Sequence, residues 1–255
     1  MKKDEKKSLT IKMAISLVLM LIIDCSLNNC QSLGLKLEFE RIFPFYKIFI
    51  NGIINTFKIT GLSFIFGSIF GILIAIIKVS KFKILKLLAR FYTSVFRGTP
   101  LLVQVFLIYF ATPQIFNCDI SSYNAAVIAF SFNSAAYISE ILRGGIESID
   151  RGQTEAAIAL GVSRENAMLD IVFPQAIKNV LPALVNETIA LLKESSLVST
   201  IGMIDMMRAA QIAMNSTYLA FEPFLIVAIL YYVLVMFFTF IASLLERRLK
   251  KSDRN

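Results

Sequence analysis

Hydrophobic residues run without a charge over four stretches long enough to cross a bilayer. Residues 59–77 lie between Lys58 and Lys78, 98–118 between Arg97 and Asp119, 120–139 between Asp119 and Glu140, and 223–245 between Glu222 and Glu246. A helix needs roughly 20 apolar residues to cross a hydrocarbon core about 30 Å thick, so each run predicts a spanning helix. A fifth run, 181–204, keeps helical apolar spacing but carries Glu187, Lys193 and Glu194. Charges are costly against lipid, so this run predicts a span whose polar side faces protein or water. Residues 13–23 form a shorter run behind Lys2, Lys3, Lys6 and Lys7. It is either a retained extra helix or the centre of a signal peptide. No small-residue cleavage site follows, which favours the retained helix, and Asp24 before Cys25 argues against a lipid-bearing cysteine.

Composition supports this pattern: 56% of the 255 residues are hydrophobic and 17% charged, with a mean hydropathy of +0.70. The net charge of +8 belongs to topology rather than to nucleic acid, because basic residues flanking spans mark the cytoplasmic side. From Lys78 to Arg97 there are six basic residues and no acidic one. Six spans starting from a cytoplasmic N-terminus place that segment inside, together with 143–178 and the tail residues Arg247, Arg248, Lys250, Lys251 and Arg254. Cys25, Cys30 and Cys118 have no metal-ligand spacing. With no histidine, the chain lacks the commonest general base and zinc ligand, and the acidic residues Glu147, Asp150 and Glu155 predict a solvated face.

The expected organisation is all-α and polytopic. Residues 1–46 hold the cytoplasmic N-terminus, the extra helix and an external segment; 51–246 form one membrane domain of five helices; 247–255 are a cytoplasmic basic tail. Gly67 and Gly71 make a small-xxx-small pair that lets another helix approach closely. Pro100 sits near the start of the second long span, and Pro113 is expected to end it. The longest interruption, 143–182, exceeds what a connection inside a bundle requires. Within it Thr154 to Leu160 reads as a short helix, Gly161 as the left-handed residue that ends it and Ser163 as a new N-cap. Residues 164–173 continue helically, with Met168, Ile171 and Val172 on one side, until Pro174 stops the helix.

Glu155-Ala156-Ala157, then Gly161, Ile171 and Pro174 at their spacings, resemble the EAA loop of binding-protein-dependent ATP-binding-cassette importer permeases. The segments Arg97-Gly98-Thr99-Pro100-Leu101-Leu102-Val103-Gln104, Arg143-Gly144-Gly145-Ile146 and 191–199 are similar to the polar amino acid branch of that family, the histidine, glutamine and arginine permeases. The resemblance covers about 52–248 and departs at Phe173, where leucine is usual. It implies a type I importer transmembrane domain of five core helices, here with one added at the N-terminus. It also implies an ATPase dimer that binds ATP with magnesium, a second permease subunit, identical or homologous, and an extracytoplasmic amino acid-binding protein. The chain has no Gly-x-x-x-x-Gly-Lys-Ser/Thr run to cradle phosphates, so no cofactor is expected on it and the motor belongs to another polypeptide.

Small side chains at Ala156 and Ala157 admit a partner, Gly161 aims the following helix, and Met168 with Ile171 can enter an apolar groove. Glu155, Ala156, Ala157, Gly161, Met168, Ile171 and Pro174 are therefore the candidate coupling residues. By resemblance, the helices carrying Asn133 and Ser134 and Asn186 with Glu187 line the amino acid path. Polar groups at membrane depth also make interhelical hydrogen bonds, which is the competing role for Asn133 and Ser134. Lys193 and Glu194 are expected to compensate each other. The alternative class, a secondary transporter or channel, has no ATPase to dock and no use for the EAA loop. The expected site of action is the bacterial inner membrane, with both termini cytoplasmic.

Overall fold

A computed structural model describes residues 37–252. The expected helix at 13–23, Cys25, Cys30 and the last three residues lie outside that range. Residues 37–44 belong to a first unit, where a 3-10 turn at Phe39–Arg41 is closed by a 2.8 Å ion pair between Arg41 and Glu38. The second unit starts at Phe45 and shows only helices and turns among the described residues.

Helix α1, Tyr46–Val79, reverses the soluble-protein pattern. Apart from Phe49 and Ile59, its inward stripe is mostly small or polar (Gly52, Thr56, Thr60, Ser63, Gly67 and Gly71 are buried), whereas Ile65, Ile69, Leu73 and Ile76 are half-exposed. Acyl chains solvate such a surface, and the small inner residues let backbones close together without relying on the hydrophobic effect. The main partner of α1 is α4, Ser122–Glu147, whose N-terminus is capped by Ser121 Oγ accepting from the Asn124 amide at 3.2 Å. A Cβ on Gly67 would lie 2.8 Å from Ser134 Cβ, and one on Gly71 would lie 2.8 Å from Cγ2 of Ile138. Only glycine fits at these crossings, which is the close approach expected from their spacing.

The run expected to span at 98–118 forms the second arm of a bent helix pair. Helix α2, Lys83–Gly98, and helix α3, Leu101–Phe116, meet at a 104° bend. Thr99 and Pro100 are extended there, since proline disfavours helical geometry in the residue before it. Gln104 Nε2 fills the corner, donating to the carbonyls of Phe96 and Thr99 at 2.8 and 3.0 Å and so pairing oxygens left over at the end of α2. A search for charge-free runs passes over α2 because Lys83, Lys86, Arg90 and Arg97 lie along it.

Neither Pro113 nor Pro174 ends a helix, contrary to expectation. A π-helical turn precedes each, Leu107–Ala111 before Pro113 and Ala167–Val172 before Pro174. A wider turn relieves the collision of the ring with the carbonyl four residues back, and the helix continues. Helix α3 ends instead at Phe116, with Asn117 left-handed at φ 49°.

Helix α5, Arg151–Ala159, leads through a corner and the turn Arg164–Asn166 into the second π-helical turn and α6, Phe173–Glu194. Pro182 lies inside α6, so the helix starts well before the apolar run that announced it. A 3-10 segment, Ser195–Ile201, Gly202 at φ 79°, α7, Met206–Thr217, and α8, Phe221–Ser252, complete the chain. Helices α1, α4 and α8 and the helical stretch Arg164–Ile201 are long and apolar enough to cross a membrane, and the bent α2–α3 pair brings the number to five when counted as one span. The core shared by α1, α3, α4 and α6 holds Ile59, Leu101, Val105, Ala126, Phe130 and Leu191.

Candidate functional site

Two regions collect the residues singled out by the sequence. The first is the corner after α5. Asp150 caps α5, its Oδ1 accepting from the Gly152 amide at 2.7 Å. At the far end Gly161 adopts φ 82°, and the amides of Gly161 and Val162 donate to Ile158 and Ala157 at 3.0 Å each, closing the helix as expected. Ser163 then caps the next turn, accepting from the Asn166 amide at 3.2 Å. Ala157, Ala167 and Val172 are buried, so the two arms of the corner are held by small side chains. Glu155, Ala156, Met168 and Pro174 are exposed, and Ile171 is half-buried. The most prominent apolar groups are Leu160, 85% exposed, and Leu169, 63% exposed, which the sequence reading passed over. Leu160 had a signal, since a leucine directly before a left-handed glycine stands at the end of its helix with nothing beyond it to cover it.

An ion-pair hub joins the membrane helices near the end of α4 that leads into this corner. Lys78 of α1 donates to Glu140 Oε1 at 2.5 Å and to Ser139 Oγ at 3.0 Å. Glu140 Oε2 accepts from Arg143 at 2.7 Å and has Arg97 at 3.8 Å, while Arg143 also pairs with Glu147. Asn179 of α6 donates to Ser148 Oγ, next to the end of α4, at 3.0 Å. An open cleft lined by Glu140, Gly144, Gly145, Ser148, Asn179 and Ala183 lies between α4 and α6. In the sequence, Glu140 was visible only as the charge that ended a run.

The second region lies at membrane depth. Asn133 Nδ2 donates to Gln104 Oε1 at 3.1 Å and to the Phe96 carbonyl at 3.2 Å, tying α4 to the α2–α3 corner. Ser134 is fully buried; its hydroxyl lies against the Glu187 carboxyl without making a hydrogen bond of full geometry. Asn186 is exposed and Glu187 half-buried. Glu194 follows seven residues on, two helical turns along the same side of α6, close enough for the two carboxylates to act on each other. Neither forms an ion pair among the described residues; Lys193 lies beyond bridging distance of Glu194, but its charge acts on that carboxylate, in part the compensation expected of the pair. Beyond the spans, buried Asp205 caps α7 by accepting from the amides of Met207 and Arg208 at 3.1 and 2.8 Å. Burial pushes its carboxyl up to about 6, against the hydrogen bonds that pull it down.

Broken and continuous spanning helices around a glycine-paired centre, with a helix–corner–helix projecting from one end, define a membrane permease that works with a separate motor. The chain belongs to the binding-protein-dependent transport system inner membrane component family, which it matches over residues 67–251. It is 48% identical over 219 residues, 86% of its length and all of the relative, to the arginine transport system permease protein ArtQ of Bacillus subtilis (strain 168). It is 49% identical over 214 residues, 83% of its length and 98% of the relative, to a putative glutamine transport system permease protein, GlnP, of Rickettsia conorii. The fold is similar to that of an amino acid ABC transporter crystallised with histidines, with a TM-score of 0.81 and 45% identity over 84% of this chain and 100% of that one. The MetNI methionine transporter shares the fold alone, with a TM-score of 0.67 at 20% identity over 81% of this chain and 98% of that one. The chain is therefore a transport subunit of an importer driven by a separate ATPase, not an enzyme and not a self-sufficient secondary transporter.

Proposed function

We propose that this permease carries amino acids inward along the face of α6 that bears Glu187 and Glu194, and that cationic amino acids are its preferred cargo. The observation behind this is the pair of carboxylates two turns apart on a spanning helix, neither in an ion pair. An uncompensated carboxylate at membrane depth costs several kcal/mol unless a cation visits it. An α-ammonium or a basic side chain supplies that cation, and two sites in series let it pass from one to the other. Asn186 and Ser134 border the same route, and Asn133, the other candidate, holds the α2–α3 corner beside it.

A second permease subunit, identical or homologous, completes the path across a two-fold-like axis. The corner formed by Glu155, Ala156, Ala157, Gly161, Met168, Ile171 and Pro174 docks into a groove of the ATPase. Mg-ATP is bound and hydrolysed on that ATPase, and its closure pulls the corner and swings α4 and α6. An extracytoplasmic binding protein delivers the substrate, and both termini face the cytoplasm of a bacterial cell whose inner membrane holds the complex.

Uptake of radiolabelled arginine, lysine and glutamine into vesicles holding the assembled importer tests this. Glu187→Gln keeps the shape and removes the charge; it is expected to lower arginine and lysine uptake more than glutamine uptake, with ATPase association intact. Unchanged uptake of all three, or loss of assembly alone, makes Glu187 a structural group.

A further inference from the structure

Helix α2 has three faces. Ala89 and Thr93, four residues apart, are buried where it packs on α1 and α4. Ile84, Leu87, Leu88, Phe91 and Val95 repeat at helical spacing on the far side and are 40–75% exposed. Lys83, Lys86 and Arg90 form a third stripe between the other two, with Lys81 just before the helix. Among the described residues none of these four cations has an ion-pair partner. The helix follows directly on the end of the spanning helix α1 and departs from the α3 axis by 104°. Its first half therefore lies obliquely at the boundary between acyl chains and headgroups, where an apolar stripe edged with lysine and arginine is at home.

We propose that α2 is a binding surface for anionic phospholipid of the cytoplasmic leaflet, with Lys83, Lys86 and Arg90 holding the headgroups. The cytoplasmic placement rests on the orientation proposed above. Lipid is favoured over a protein occupant by the charge pattern: an exposed apolar stripe edged by unpaired cations complements an anionic leaflet. The surface is joined to the transport route. Tyr92 Oη donates to the Phe132 carbonyl at 2.5 Å, and the Phe96 carbonyl accepts from both Asn133 and Gln104. Headgroups that fix the tilt of α2 thereby fix the α2–α3 corner against α4, and transport is expected to rise with the anionic lipid content of the membrane.

The test uses the assembled importer in nanodiscs of phosphatidylcholine, alone or mixed with phosphatidylglycerol. The chain has no tryptophan, so Leu88→Trp adds a probe to the apolar stripe, read as the difference from the parent complex. Each basic residue near an anionic surface favours association by about fivefold, so three give at most about a hundredfold and, after screening, roughly tenfold. Brominated phosphatidylglycerol is expected to quench the probe at about tenfold lower mole fraction than brominated phosphatidylcholine. Adding K83Q/K86Q/R90Q is expected to abolish that preference, and raising salt to weaken it in the complex that keeps its basic residues. Equal quenching by both lipids overturns the proposal, and so does the absence of quenching by either, which means that protein covers the face. Absence of lipid preference in the complex that keeps its basic residues, with uptake intact in vesicles of the same lipids, overturns only this surface; intact preference with no amino acid uptake by those vesicles overturns only the transport assignment.

Discussion

Lys78 on α1 and Glu140 on α4 meet at 2.5 Å, and the lysine side chain is only 2% exposed. The two partners are not equivalent. Glu140 also accepts from Arg143 and lies near Arg97, whereas Lys78 has Glu140 and the uncharged Ser139. Removing one member of a buried pair costs about 3–5 kcal/mol when the other is left uncompensated. Glu140→Leu is therefore expected to lower the thermal midpoint of the purified complex clearly more than Lys78→Met, and the double variant to recover part of the loss. Equal losses from the two single changes refute the asymmetry.

The crossing of Gly67 and Ser134 makes a steric prediction. A methyl group on residue 67 would meet Ser134 Cβ at 2.8 Å and Oγ at 2.9 Å. Gly67→Ala is expected to destabilise the complex by about 1–3 kcal/mol, as overpacking does. Ser134→Gly placed in the Gly67→Ala background removes both clashing atoms and should restore most of the midpoint. Failure of that rescue, measured by thermal denaturation, means that α1 and α4 are spaced by other contacts.

Much of the architecture was legible because lipid imposes a one-dimensional rule: charge-free length marks a span. The rule located α1, α4 and α8 and failed where charge and membrane contact coexist. Helix α2 was missed because its cations lie beside its apolar stripe, and α6 was started too late because Lys178 and Pro182 look like loop residues. Pro113 and Pro174 misled for a related reason, since a π-helical turn has no sequence period of its own. The corner at Gly161 was legible in full, because φ > 0, a cap at Ser163 and short helices on both sides are local chemistry. The Lys78–Glu140 hub was not, because it joins residues 62 positions apart.

At Gly161 the left-handed backbone, and not crowding, excludes other residues, since a Cβ there would meet nothing within 4 Å. Substitution by a residue that tolerates this conformation should be mild. Gly161→Asn is expected to keep the ATPase bound, whereas Gly161→Val, strained by about 1–2 kcal/mol, is expected to insert normally and lose the ATPase on co-purification. Gly161→Asp falls between, inserted but poorly coupled. Normal uptake by the valine variant means that the corner's angle does not set docking.

Asn133 carries the last prediction, because the structure supports the structural one of its two candidate roles. Its two amide hydrogens are taken by Gln104 Oε1 and the Phe96 carbonyl, and Gln104 Nε2 returns to Phe96 and Thr99, so the pair forms one closed network across the α2–α3 corner. Buried hydrogen bonds of this kind are worth about 1 kcal/mol each, and residues in one network are not additive. Asn133→Leu and Gln104→Leu should each lower the thermal midpoint, and the double variant should fall by less than their sum. Asn133→Asp should fall furthest, since it sets an acceptor against Oε1 and Phe96 O and buries a charge. Complexes that remain folded are expected to keep their order of preference among arginine, lysine and glutamine, because Asn133 is buried and both its amide hydrogens are committed to the corner. An unchanged midpoint in Asn133→Leu together with altered selectivity would reverse the assignment, placing Asn133 on the path and leaving Gln104 alone to hold the corner.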